Sequence, residues 1–96
     1  MFYNMFVNRE IKTLLKEIFK GLGKNEKLSQ IINKVNFGYL WNFHFTIGTY
    51  LRNKYLWHNE YNYNLLKTFY KIDDIDDISM SLLFYYYFLY ISNINL

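Results

Sequence analysis

The chain contains no cysteine, no proline and no alanine among its 96 residues. Without cysteine it cannot form a disulfide, a thiolate metal site or a cysteine nucleophile. This composition fits a reducing compartment, and we expect a cytoplasmic protein. Asn, Ile, Lys, Tyr and Phe are abundant instead, and all have A/T-rich codons. We therefore attribute part of the high aromatic content to codon bias.

No segment has the sequence pattern of a membrane span or a secretion signal. The apolar run at residues 80–91 is too short, since a bilayer requires about 20 residues. Residues 1–7 are apolar but lack a basic flank and a small-residue cleavage site. We expect no membrane partner.

The motifs of common cofactor and metal sites are also missing. Residues 21–24 contain two glycines and a lysine but do not match a phosphate-binding loop. Residues 73–77 hold four aspartates without the glycine and terminal glutamate of an EF-hand. His58 has no second histidine at ligand spacing. We expect no cofactor and no metal, and interpret the aspartates as helix-capping and solvated charge.

The apolar spacing predicts a single all-α domain over residues 1–96, a compact bundle of four to five helices. Asn8 is the predicted N-cap of the first helix, which should end at Gly21 or Gly23. The other helices are expected at residues 26–36, 39–55, 63–70 and 78–91. The last is apolar nearly all round, so it should lie near the centre of the bundle. An aromatic run such as residues 84–91 also suits a strand, but no hairpin partner accompanies it.

A cluster of polar and aromatic residues carries the most specific signal. Trp41, His44, Phe45, Gly48 and Arg52 should form one ridge of the central helix. Gly48 costs about 1 kcal/mol relative to alanine in a helix, which suggests that another backbone or a ring crosses there. The predicted polar cluster comprises His44, Gly48, Arg52, Asn53, Trp57, Asp76, Asp77 and Ser79.

Two interpretations of the polar cluster remain open. Asp76 or Asp77 should cap the last helix, and Arg52 could donate a bidentate pair to either carboxylate. Asn53 could bond a nearby carbonyl. The cluster is then either a structural network between two helices or a ligand pocket, in which His44 and an aspartate act as an acid–base pair.

The same residues resemble a family signature. The order His-Phe-x-x-Gly-x-x-x-Arg-Asn, then Leu-Trp, then Asp-Asp-hydrophobic-Ser, is similar to an uncharacterised family of small bacterial and phage proteins. The resemblance covers roughly residues 7–92. This chain departs from the family at Ile75, where the family usually has proline, and has one residue fewer between Asn53 and Leu56. The resemblance implies a fold but no activity.

The positive charge is concentrated before residue 73. Residues 1–72 hold all eleven Lys and Arg against four Glu, for a net +7, whereas residues 73–96 hold only four Asp, for a net −4. The predicted basic face comprises Arg9, Lys12, Lys16, Lys20, Lys24, Lys27 and Lys34. It is either a surface for RNA, DNA or a protein partner or the solvated side of amphipathic helices.

These features favour a non-enzymatic interaction protein. The sharpest hypothesis is a small phage or mobile-element inhibitor, for example an anti-CRISPR or other anti-defence protein, that binds a larger protein or ribonucleoprotein. One alternative is a stand-alone nucleic-acid-binding protein that uses the basic face. Another is a small enzyme that uses His44 with Asp76 or Asp77. Phe2, Tyr3 and Phe6 could also support a homodimer or simply cover the end of the bundle.

Overall fold

The computed structural model describes the backbone of residues 2–94 and the side chains of residues 9–94. Within these residues the chain forms five α-helices and no strand, which confirms the all-α prediction. A 3₁₀ segment and one π-helical turn join them. The elements are α1 (Phe2–Gly23), α2 (Glu26–Ile31), the 3₁₀ segment (Gly38–Phe43), α3 (Ile47–Leu51), the π turn (Arg52–Leu56), α4 (Glu60–Tyr70) and α5 (Ile75–Ile91).

Helix α1 is longer than predicted. It begins at Phe2, so Asn8 lies inside the helix and is not its N-cap. No glycine or proline interrupts residues 2–8, and a helix already nucleated extends readily through such a segment. The predicted apolar side is correct: Ile11, Leu14 and Ile18 are buried in the core. The predicted dimer contact of Phe2, Tyr3 and Phe6 concerns side chains outside the described residues.

Helix α5 occupies the centre of the fold, as predicted. It packs against α3, α4, the 3₁₀ segment and the π turn. Its buried residues are Ile78, Ser79, Met80, Leu82, Leu83, Tyr87 and Leu89. The predicted N-cap was wrong. Asp74 caps the helix, because its side chain accepts hydrogen bonds from the N–H groups of Asp76 at 2.8 Å and Asp77 at 3.1 Å.

The predicted central helix is broken into three pieces. The 3₁₀ segment ends at Phe43, and Thr46 has a non-helical backbone, with φ −113° and ψ −82°. The Thr46 hydroxyl donates to the Phe43 carbonyl at 3.4 Å, which is the kind of local bond that competes with a helix. The predicted ridge therefore does not form: Phe45 is 84% exposed, whereas Gly48 is buried.

Helix α2 ends at Ile31, five residues before the predicted end at residue 36. The segment after it is held by α5 instead of continuing the helix. The Tyr87 hydroxyl donates to the Val35 carbonyl, and the Tyr90 hydroxyl donates to Asn33 Oδ1 at 2.6 Å. The bond from Tyr87 gives the Val35 carbonyl a partner that an extended helix would have supplied internally.

Helix α4 begins at Glu60, three residues before the predicted start, because Asn59 caps it. The Asn59 side chain accepts a hydrogen bond from the Asn62 N–H at 3.0 Å. The helix ends at Tyr70, and Lys71 after it adopts a left-handed conformation with φ 58°.

Candidate functional site

Arg52 is the organising residue of the polar cluster. Its side chain is only 8% exposed, and each of its three guanidinium nitrogens has a partner. Nη1 donates to Ser79 Oγ at 2.9 Å, and Nη2 donates to the His44 carbonyl and to Thr49 Oγ1, both at 3.0 Å. Nε lies 3.3 Å from Asp76 Oδ1. The ion pair with Asp76 thus uses one nitrogen and is not the bidentate pair predicted for Asp76 or Asp77.

Ser79 links Arg52 to the first turn of α5. Its hydroxyl accepts from Arg52 and donates to the Asp76 carbonyl at 2.7 Å. A hydroxyl that donates to a backbone carbonyl has no side-chain base to take its proton, so this geometry does not make a nucleophile. The arrangement instead fixes the start of α5 against α3 and the π turn.

His44 lies at the edge of this network. Its Nε2 is 3.9 Å from Asp76 Oδ2, which is beyond hydrogen-bond distance, and its buried Nδ1 has no hydrogen-bond partner among the described residues. The imidazole packs edge-on against Phe45, with the ring centroids 4.8 Å apart. Only the backbone carbonyl of His44 takes part in the bonds to Arg52.

Three predicted members of the polar cluster lie outside it. Asn53 and Asp77 are exposed, and their side chains make no hydrogen bond within residues 9–94. Trp57 follows the π turn and is 50% exposed. The predicted carbonyl bond of Asn53 is therefore wrong. The structure unites His44, Gly48, Arg52, Asp76 and Ser79.

Thr49 is the member that sequence reasoning missed. It stands three residues before Arg52 on the same helical side, a spacing at which side chains meet. That spacing could have found it. The role of the His44 carbonyl had no sequence signal, because it depends on the break in the central helix at residues 44–46.

Gly48 is required by the guanidinium and a methionine, not by a backbone or a ring. A Cβ at this position would lie 2.9 Å from Arg52 Nη1 and 3.3 Å from Met80 Sδ. The close neighbour, Arg52 Nη1, is the end of a side chain, but its hydrogen bond to Ser79 Oγ opposes its displacement. The lack of a side chain at Gly48 thus leaves space for the Arg52 guanidinium against the helix.

We expect Gly48→Ala to lower the free energy of unfolding by about 1 kcal/mol in urea titrations, because overpacking outweighs the gain in helix propensity. Gly23→Ala is the matched control, since its Cβ would meet only Tyr86 Oη at 3.6 Å. That variant should be as stable as the wild type or more so. A Gly48→Ala protein that is more stable than the wild type would show that Arg52 moves away at little cost.

The basic face is exposed at every position. Arg9, Lys12, Lys16 and Lys20 follow one side of α1 at helical spacing, while Lys24, Lys27 and Lys34 lie in the turn after α1, in α2 and beyond it. None of the seven forms an ion pair within residues 9–94, where the ion pairs involve His44, Arg52 and Lys67. Their charges are thus available to a partner.

A groove runs beside the basic face. It lies between α1, the segment after α2 and the C-terminal part of α5, with a volume of about 910 Å³. Lys16 and Lys20 line it together with Phe19, Tyr86 and Tyr90, and no Asp or Glu does. Burial raises the pKa of the Tyr86 hydroxyl, and the neighbouring Tyr90 adds to the rise. The groove therefore combines positive charge with neutral aromatic surface.

The described residues contain no group of three or more histidine, aspartate or glutamate side chains placed to hold a metal ion. Over the same part of the chain, no helix has both the length and the apolar character that a bilayer crossing requires. Comparisons with protein-family models, curated proteins and solved structures find no match to the chain.

Proposed function

We propose that this is a non-enzymatic binding protein that acts by occupying a surface of a larger protein or ribonucleoprotein. The observation that carries the proposal is the basic face, whose seven exposed cations form no ion pair within residues 9–94. Unpaired cations on one side of a helix attract phosphates or an acidic protein surface.

The charge distribution also supports a directed contact. The groove beside Lys16 and Lys20 is at the C-terminal end of α5, whereas Asp74, Asp76 and Asp77 lie at its N-terminal end. A helix of 17 residues separates the two ends by about 25 Å. A negatively charged partner is therefore drawn to one end of the molecule and repelled from the other.

The sharper form of the proposal is an inhibitor encoded by a phage or mobile element. An anti-defence protein, for example an anti-CRISPR, would place the basic face against the nucleic acid of an effector complex and block its working surface. The cations that form no ion pair within residues 9–94 support this form. The polar cluster is proposed to stabilise the fold and to take no direct part in binding.

Affinity capture from the native host tests the proposal with three baits. We expect the wild type to retain one large complex after nuclease treatment. Lys12→Gln/Lys16→Gln/Lys20→Gln should lose it, because three cations of the basic face are neutralised. Lys54→Gln/Lys67→Gln/Lys71→Gln is the matched control: it removes the same charge from exposed lysines outside the basic face and should retain the complex. Mass spectrometry with quantitation compares the three.

Retention of the same complex by the Lys12/Lys16/Lys20 variant would contradict the role of the basic face. Equal losses from both triple variants would show that net charge, and not this face, controls binding.

The groove favours a second candidate, a stand-alone nucleic-acid-binding protein. It predicts that every captured protein is lost on nuclease treatment. It also predicts direct binding of oligonucleotides that weakens as salt is added. The slope of the log binding constant against the log salt concentration should become shallower by about 2 when Lys12, Lys16 and Lys20 are neutralised.

A further inference from the structure

The groove beside α1 has walls of different chemistry. Helix α1 contributes Lys16, Phe19 and Lys20 to the lining, and α5 contributes Tyr86 and Tyr90. Phe19 and Tyr86 are in ring contact, with centroids 5.5 Å apart. Apolar residues at the C-terminal end of α5 extend the wall that α5 forms. A ligand that fills the groove must therefore present anionic groups to one wall and flat or apolar groups to the other.

The cations are spaced along a line. Lys16 and Lys20 are one helical turn apart, about 6 Å along the axis. Arg9 and Lys12 continue the same side of α1, so the four cations extend over about 17 Å. A line of regularly spaced cations suits a polymer that carries one negative charge per unit, because each unit can meet one cation.

Tyr90 supplies the aromatic partner. It is 43% exposed, so part of the side chain is accessible from the groove. Its hydroxyl donates to Asn33 Oδ1 at 2.6 Å, which holds the side chain in place before a ligand arrives. A ring fixed in advance loses less conformational entropy on stacking than a freely rotating one.

We propose that this groove binds a single-stranded nucleic acid, with a base stacked on Tyr90 and phosphates on Lys16 and Lys20. The strand continues along α1 beyond the groove, where further phosphates meet Lys12 and Arg9. Basic tracks beside aromatic rings are the means by which single strands are bound without sequence readout. Duplexes hide their bases and cannot use the aromatic wall. This inference rests on the proposed function, since it identifies the part of a nucleoprotein that the basic face contacts.

Fluorescence anisotropy with short oligothymidylate, oligouridylate and an abasic deoxyribose-phosphate strand tests the groove. Tyr90→Leu should weaken binding of the two base-containing strands roughly tenfold and leave the abasic strand unchanged. Tyr90→Phe keeps the ring but loses the bond to Asn33, so it should weaken binding less than Tyr90→Leu does. Tyr39→Leu is the matched control, because Tyr39 is an exposed tyrosine of the 3₁₀ segment and lines neither the groove nor the surface beside Arg9. Circular dichroism checks that each variant is folded, and the two base-containing strands distinguish RNA from DNA.

The outcomes separate this inference from the proposed function. If Tyr90→Leu binds all strands like the wild type while Lys12→Gln/Lys16→Gln/Lys20→Gln binds them weakly, the groove is not the site and the basic face still is. If neither variant changes binding, the single-strand proposal fails, and the affinity capture with the Lys12→Gln/Lys16→Gln/Lys20→Gln bait decides the proposed function separately. If the wild type ignores the strands but binds an acidic, phenylalanine-containing peptide in a Tyr90-dependent manner, the occupant is a peptide and the single-strand proposal is overturned.

Discussion

Replacement of Arg52 by alanine is expected to lower the free energy of unfolding by about 3 kcal/mol. The guanidinium bonds Ser79, Thr49 and the His44 carbonyl and pairs with Asp76, so its loss leaves several groups without a partner. We expect the lower end of the range for broken buried ion pairs, because the Asp76 side chain is 53% exposed and remains hydrated. Urea unfolding followed by circular dichroism measures the change.

Two further variants make the Arg52 result specific. Asn53→Ala changes the next residue, which is exposed, and should shift stability by less than about 0.5 kcal/mol. Arg52→Lys keeps the charge but lacks the planar fork, so it should recover little of the loss. Full recovery with lysine would mean that the charge alone, and not the set of hydrogen bonds, stabilises the fold.

The second large effect is expected at the centre of α5. Leu82 is completely buried, and Leu82→Ala should lower the free energy of unfolding by about 3–5 kcal/mol through lost burial and the cavity left behind. Phe88→Ala is the control on the same helix, because Phe88 is nearly half exposed and its removal leaves no enclosed cavity. It should cost about 1 kcal/mol or less.

A Leu82→Ala protein that unfolds at the wild-type urea midpoint would contradict the central position of α5. A collapse of cooperativity would instead show that this helix organises the whole core, because the two-state transition depends on a single packed unit.

The helices that could be predicted most clearly from the sequence are those that bury one apolar side. Ile11, Leu14 and Ile18 predicted the inner side of α1 because their spacing matches the helical period. Residues 78–91 are apolar nearly all round, and a helix of that kind is buried on most sides, so the sequence predicted α5 at the centre. The pairing of Arg52 with Asp76 was also foreseeable, since a buried guanidinium requires a carboxylate or several oxygen acceptors.

Other features depend on tertiary contacts that no local pattern encodes. Four aspartates within residues 73–77 can all cap a helix. The choice of Asp74 places Asp76 in the first turn of α5, where it faces Arg52. The break at residues 44–46 likewise places the His44 carbonyl against Arg52. The exposure of the basic face follows from its charge, but the aromatic wall of the groove comes from a distant helix and had no sequence signal.

The bonds that join α5 to the segment after α2 also govern when the groove can exist. Tyr87 and Val35 are 52 positions apart, and Tyr90 and Asn33 are 57 apart. During ribosomal synthesis the lysines of α1 emerge before Tyr86 and Tyr90. A nascent chain therefore displays the cations before it has an aromatic wall. It gains the wall formed by Tyr86 and Tyr90 only when α5 docks. The proposed binding of single strands therefore requires that α5 has docked, whereas electrostatic attraction through the cations does not.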